Sequence, residues 1–282
     1  MLSKPKCIPC ALRQVLSTVG QVTDDIHVQK DILDEAMAAL LKMPVFELSP
    51  AELSTRAIKI ACEMLDDPDP YYQAKKKYNA IALEMEPHLG QILEEQEHPL
   101  FAALLLSVAG NIIDLGILEH IDIDQAILRV LENGLAVNDY PTLLRLLDDA
   151  EQVLIIGDNA GEIVFDKLLL KQLTSYEVFY AVRGGPIIND ACLEDALEVG
   201  IDQLAKVITT GSDRLGITAD CSPEFWLCFE EADVIIAKGQ ANFETLQPHP
   251  RLFNLLTCKC DLVASELGVC LNDSVLYFQG RL

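Results

Sequence analysis

From Glu151 onward, short β-branched apolar runs alternate with stretches of helical apolar spacing, and this alternation limits the fold more than any other feature of the chain. The first unit, Gln152–Asp166, reads QVLIIGDNAGEIVFD. Val153–Ile156 is a continuous apolar run of the kind buried on both faces of a sheet. Gly157 ends the run and permits a sharp turn. After Gly161, the spacing of Ile163, Val164, Leu168 and Leu169 is helical. Including Gln152–Ile156, strands are expected at Glu177–Val182, Lys206–Thr209 and Asp233–Ala237, with a weaker fifth at Asp261–Ala264. Helices are expected at about Gly161–Leu173, Asp190–Val199, Pro223–Glu231 and Phe243–Leu246. Such a pattern implies an α/β fold with a mainly parallel sheet and helices on both faces.

The preceding part of the chain is patterned differently. Ile32, Leu33, Met37, Leu40 and Leu41 mark one helix face, and Leu53, Ala57, Ile60, Ala61 and Met64 mark another, opened by Ser49-Pro50. Helices are also expected from about Tyr71, at Pro99–Leu115, at Asp122–Leu131 and at Tyr140–Leu147. Residues 1–148 therefore read as a helical domain and 149–282 as an α/β domain.

Composition excludes several classes of function. A net charge of −23 argues against a nucleic-acid backbone or an anionic membrane as partner. No uncharged apolar run approaches the length of a membrane span. The opening MLSKPKCIPC lacks an apolar signal core, so a cytoplasmic location is expected, with the nine cysteines as reduced thiols. The closing LYFQG resembles a protease-recognition tag, although the residues before it do not fit one.

The chemistry is expected in the loops that follow the strands, because a parallel sheet gathers them at one edge. They carry Asp158 and Asn159; Arg183, Asn189 and Asp190; Ser212 and Asp213; and Lys238, Asn242 and Glu244. None contains His or Cys, so the donors suit a hard divalent cation such as Mg²⁺ or Mn²⁺, with Co²⁺ and Ni²⁺ also candidates. Asp158, Asn159 and Asp190 are the candidate ligands. Lys238 and Arg183 would neutralise a phosphate, and Ser212 could add a hydroxyl donor. An isolated Asp-Asn after a strand is ordinarily a turn or a helix cap; four such loops at one edge weaken that reading without removing it, and on pattern alone the two readings stand about even. The chain has no GxGxxG, P-loop or GxSxG motif, which disfavours a dinucleotide or ATP site.

GDNAGEIVFD, VRGGPIINDA and IAKGQANFETL together resemble the damage-control phosphatase family. CIPC at Cys7–Cys10, DPYYQAKKKYN at Asp69–Asn79 and AGNIIDLG at Ala109–Gly116 are similar to its prokaryotic, cysteine-bearing branch, so the resemblance spans essentially the whole chain. It implies a helical N-terminal domain packed on a Rossmann-like α/β/α domain, and a divalent-metal phosphatase acting on small phosphorylated metabolites. It further implies metal ligation by Asp158, Asn159 and Asp190, catalytic roles for Asp158, Asp190 and Lys238, and phosphate contact by Lys238. By analogy, Asn111 and Asp114 would reach into the cleft, and Glu162, Asn242 and Glu244 would shape the pocket.

Cys7-x-x-Cys10 is open to three readings: ordinary thiols, a redox pair, or part of a second metal site with Cys258 and Cys260 as the further candidates, of which the resemblance favours Cys260. Two rival functions also stand: a non-catalytic binder of a phosphorylated metabolite or nucleotide, and an S-adenosylmethionine-dependent methyltransferase. Acidic, metal-type ligands in the first loop disfavour the latter. The sequence leaves the oligomeric state open.

Overall fold

The structure, a computed structural model, describes residues 1–110 and 123–280. Three helices, Cys7–Gly20, Ile26–Leu40 and Pro50–Leu65, open the chain and share a core that includes Val15, Ile32, Leu53 and Ala57. Their boundaries follow local chemistry. The Asp25 carboxylate accepts the N–H groups of His27 and Val28, and Ser49 forms a reciprocal capping box with Glu52 ahead of Pro50. Helices Tyr72–Glu94, Pro99–Ala109, Ile123–Asn133 and Tyr140–Leu147 follow.

Seven strands form one sheet: β1 (Val137–Asn138), β2 (Gln152–Ile156), β3 (Glu177–Val182), β4 (Lys206–Thr209), β5 (Val234–Lys238), β6 (Leu252–Thr257) and β7 (Ser274–Phe278). Their spatial order is β1-β7-β6-β5-β2-β3-β4, parallel at every pairing except β6–β7. The α/β class and the mainly parallel sheet are as the sequence implies. Val137 and Asn138 join the sheet from the helical part of the chain, beside Val275 and Leu276.

β2 lies in the middle and explains the layering. Val153–Ile156 are wholly buried, and the two-residue period sends Val153 and Ile155 to one face and Leu154 and Ile156 to the other. The first face packs on helices Glu162–Gln172 and Pro99–Ala109, and the second on Phe225 and Phe229 of helix Pro223–Glu231. Pro99–Ala109 is apolar all round, and each of its residues from Ala102 to Ala109 is buried.

One reading needs correction. Asp261–Ala264 is not a strand but the start of helix Asp261–Leu267. An acid opens its first turn and Gly268, at φ 70°, ends it, which are helix boundary signals. β6 and β7 were not anticipated. LYFQG is part of the sheet: Leu276, Tyr277 and Phe278 pair with Leu255, Asn254 and Phe253, and Gln279 N–H donates to the Leu252 carbonyl. Asn111 and Asp114 lie outside the described residues, as does the end of the expected Pro99–Leu115 helix.

Candidate functional site

The chain builds the sheet outward from β2 through β3 to β4, then returns to place β5 on the other flank of β2. That reversal opens a crevice beyond the carboxyl ends of β2 and β5, where sheets of this type bind ligands. Gly157–Gly161 follows β2, and Gly239 follows β5 at φ 78°. An added Cβ on Gly239 would collide with the Asp158 carboxylate, so only glycine lets these two turns meet.

The turn after β3 completes the crevice. Asn159 and Asp190 form a β-bridge, Ala191 N–H donates to the Asp158 carbonyl at 2.8 Å, and Ala160 N–H donates to that of Asn189 at 2.9 Å. Two short backbone segments thereby hold Asp158, Asn159 and Asp190 together. Asn159 Nδ2 donates to Asp158 Oδ2 at 3.0 Å and approaches Glu162 Oε2 at 3.5 Å. Arg183, 2 % exposed, donates through Nε to Asp190 Oδ2 at 2.6 Å, through Nη1 to the Gly216 carbonyl at 2.9 Å and through Nη2 to Asn242 Oδ1 at 3.1 Å. Asn242 Nδ2 in turn donates to the Lys238 carbonyl at 2.6 Å.

Beneath these turns lies a buried ion network. Lys238 Nζ, at 0 % exposure, reaches Glu162 Oε1 at 2.7 Å, Asp166 Oδ1 at 2.6 Å and the Ser107 carbonyl at 3.3 Å. Ser107 Oγ and Tyr180 Oη both donate to Asp166. The network joins β5, β3 and two helices, and its three carboxylate and carbonyl partners occupy all three ammonium protons. Burial disfavours the Lys238 charge, yet Asp166 and Glu162 outweigh it and hold its pKa above the ordinary value. Burial, with Asp190 and Glu162 next in order, drives the Asp158 carboxyl well above the usual carboxylate range. Burial also raises Glu162, against the pull of Lys238.

The crevice therefore gathers seven of the residues expected there: Asp158, Asn159, Glu162, Arg183, Asp190, Lys238 and Asn242. Lys238 and Arg183 are committed to carboxylates rather than presented to solvent. Ser212 is set apart, its hydroxyl donating to Asp220 at 3.2 Å. Glu244 faces elsewhere, accepting from Gln240 Nε2 at 2.9 Å, with its carboxyl pushed up to about 7 by burial. It lines a separate cleft of about 610 Å³, with Glu52, Trp226, Phe229 and His249, to which none of the crevice carboxylates contributes. Cys10 and Cys260 lie close enough to Cys7 to raise its pKa further, after burial and Glu244. All nine thiols are free. Among the described residues, no group of three or more His, Cys, Asp or Glu side chains is arranged to hold a metal ion, at the cysteines or in the crevice.

Asp166, Tyr180, Ser107 and Asn79 were missed. Asp166 did leave a signal: with Lys167 it breaks the apolar spacing between Ile163–Phe165 and Leu168–Leu170.

The sequence profile of the damage-control phosphatase ARMT1-like domain matches residues 3–275. An uncharacterized protein of Methanocaldococcus jannaschii, MJ0202, is 36 % identical over 97 % of this chain and 94 % of its own length. A protein of Archaeoglobus fulgidus named damage-control phosphatase is 35 % identical over 98 % of each. Damage-control phosphatase PH1575 of Pyrococcus horikoshii is 34 % identical over 94 % of this chain and 93 % of its own. The crystal structure of PH1575, described as a DUF89 family protein, superposes with a TM-score of 0.89, at 31 % identity and 99 % coverage of both chains.

Proposed function

The chain belongs to the damage-control phosphatase ARMT1-like family, and from that premise we propose that it hydrolyses small phosphorylated metabolites with a divalent metal ion in the β2–β5 crevice. One observation carries the metal. Among the described residues, Asp158, Glu162, Asp166 and Asp190 are buried together with two buried cations, Lys238 and Arg183, and the exposed Lys259 offsets Asp158 and Glu162 from outside. Two formal negative charges remain, a deficit that a divalent cation balances, and oxygen donors alone suit Mg²⁺ or Mn²⁺.

Asp158, Asp190 and the amide oxygen of Asn159 would hold the ion. When bound, it would supply a water of lowered pKa and polarise a phosphoryl oxygen. Arg183 orients Asp190 through the short Nε bond and, by its two other contacts, ties the β3 turn to Gly216 and Asn242. Lys238 is bound by Glu162 and Asp166; a phosphoryl oxygen reaches its ammonium only by displacing one of them. Glu162 lies in the first turn of its helix, where the macrodipole favours an acid.

The test is hydrolysis of p-nitrophenyl phosphate by metal-stripped protein, with Mg²⁺, Mn²⁺, Co²⁺ and Ni²⁺ returned separately. Activity restored by metal and abolished by both Asp158→Ala and Asp190→Ala is the expected result. Activity that survives either substitution would sink the assignment. Metal binding without turnover of this ester or of a panel of sugar phosphates would favour the non-catalytic binder.

A further inference from the structure

The DPYYQAKKKYN stretch has no part in the chemistry above, yet its last residue touches the crevice from behind. Asn79 is wholly buried in helix Tyr72–Glu94. Its Oδ1 accepts the Gly161 N–H at 2.7 Å, at the end of the turn that carries Asp158 and Asn159. Its Nδ2 donates to Asp195 Oδ1 at 3.3 Å and to Glu198 Oε2 at 3.0 Å. The other oxygen of Asp195, Oδ2, accepts the Cys192 N–H at 2.9 Å, two residues beyond Asp190. Lys75, 3 % exposed, neutralises the same group, lying 2.8 Å from Asp69 Oδ2 and 3.5 Å from Asp195 Oδ2.

We propose that Asn79 is a positioning residue: through Asp195 it fixes the spacing between the turn bearing Asp158 and Asn159 and the turn bearing Asp190. The metal consequence rests on the functional reading above. The position needs one acceptor toward Gly161 and one donor toward two carboxylates, which an amide supplies in a single planar group. Leucine has neither, and aspartate would set a third carboxylate against Asp195 and Glu198. Gly161, at φ 79°, precedes the first turn of helix Glu162–Gln172, where backbone N–H groups lack partners within the helix. Removing Asn79 therefore frees a buried N–H on one turn and Oδ1 of Asp195, the carboxylate whose other oxygen, Oδ2, steadies the other turn.

The experiment compares the full chain with Asn79→Leu, Asn79→Asp and Lys76→Met. Lys76 joins helix Tyr72–Glu94 to Glu194 and Glu198, sharing Glu198 Oε2 with Asn79, so its variant removes part of the interface to residues 194–198 while leaving the Asn79 bonds to Gly161 and Asp195 in place. Hydrogen exchange by mass spectrometry is read on segments 157–162 and 189–193, beside Mn²⁺ affinity and thermal melting. Both Asn79 variants should accelerate exchange in the two segments together by about tenfold or more, with Lys76→Met near wild type. They should also weaken Mn²⁺ binding by about 10- to 100-fold. Unchanged exchange in either segment, or an equal effect of Lys76→Met, would overturn the proposal. If one Asn79 variant fails to fold, the other decides. A wild-type chain that binds no Mn²⁺ would overturn the metal reading instead, and the exchange rates would still decide the coupling.

Discussion

Gly239→Ala is the sharpest single perturbation of the crevice. Gly239 has φ 78° and ψ 166°, a region open essentially to glycine, so any side chain there costs about 1–3 kcal/mol in backbone strain. The new Cβ would sit 2.0 Å from Asp158 Oδ2, 2.2 Å from Cγ and 2.6 Å from Oδ1. Real Cβ contacts do not fall below 3.0 Å, so the carboxylate must retreat by at least 1.0 Å. Asp158 is 8 % exposed and its backbone is pinned by Ala191, which leaves little room for the retreat. A displacement of that size at a reacting centre costs about 100-fold in rate. The assay is kcat/KM for p-nitrophenyl phosphate at saturating Mn²⁺, with urea unfolding beside it. Gly90→Ala is the comparison: it lies inside helix Tyr72–Glu94 with nothing within 4 Å of the added Cβ, and should stabilise by about 0.5–1 kcal/mol with activity unchanged. Activity of Gly239→Ala within about threefold of wild type would refute the placement of Asp158 at the reacting centre.

Two further outcomes concern stability. Lys238→Met leaves Glu162 and Asp166 buried without a counter-charge, and should destabilise by about 3–5 kcal/mol in urea unfolding; a loss below about 1 kcal/mol would mean that the network is hydrated. Glu244 has its carboxyl raised from 4.5 to about 7, chiefly by burial. Between those pH values the unfolded chain gives up the proton while the folded chain keeps it, so stability falls as pH rises through that window, by up to about 3 kcal/mol. Glu244→Gln should therefore lose less stability than wild type between about pH 5 and pH 8 in guanidinium unfolding; equal losses would remove Glu244 as the source.

The strands that were legible share one property: β2, β3, β4 and β5 combine β-branched or aromatic runs with a polar or glycine-bearing stop. β6, LFNLLT, has leucine in place of β-branched residues and a buried Asn254 at its centre, so its period is not that of a strand. Asp261–Ala264 erred in the opposite sense. Four residues fit either period, and only the continuation to Leu267 and Gly268 identifies a helix. The site divides along a similar line. Asp158, Asn159 and Asp190 could be grouped as candidate ligands because loop position and residue type are read locally, and the structure brings the three together. Lys238 and Arg183 were read as facing substrate because a cation beside acidic loops gives no sign of its burial. Asn79 and Ser107 could not be found locally at all, since their partners Gly161 and Asp166 lie 82 and 59 residues away.

The commitment of both cations has a consequence for how a phosphate could be held. A phosphomonoester carries negative charge into a crevice that already has four buried carboxylates, with Arg183 and Lys238 engaged by Asp190, Glu162 and Asp166. Unless a further cation offsets it, as Lys259 does in part at Asp158 and Glu162, the approach is repulsive, and low polarity strengthens that repulsion. The Asp158 carboxyl, raised first by burial and then by Asp190 and Glu162, points the same way, since a proton there removes one of the crowded charges. A divalent ion and a proton thus compete for one group. On the metal reading, the acids do more than ligate: they leave the crevice unable to accept a phosphate until the metal is in place, which is why metal add-back is the discriminating test.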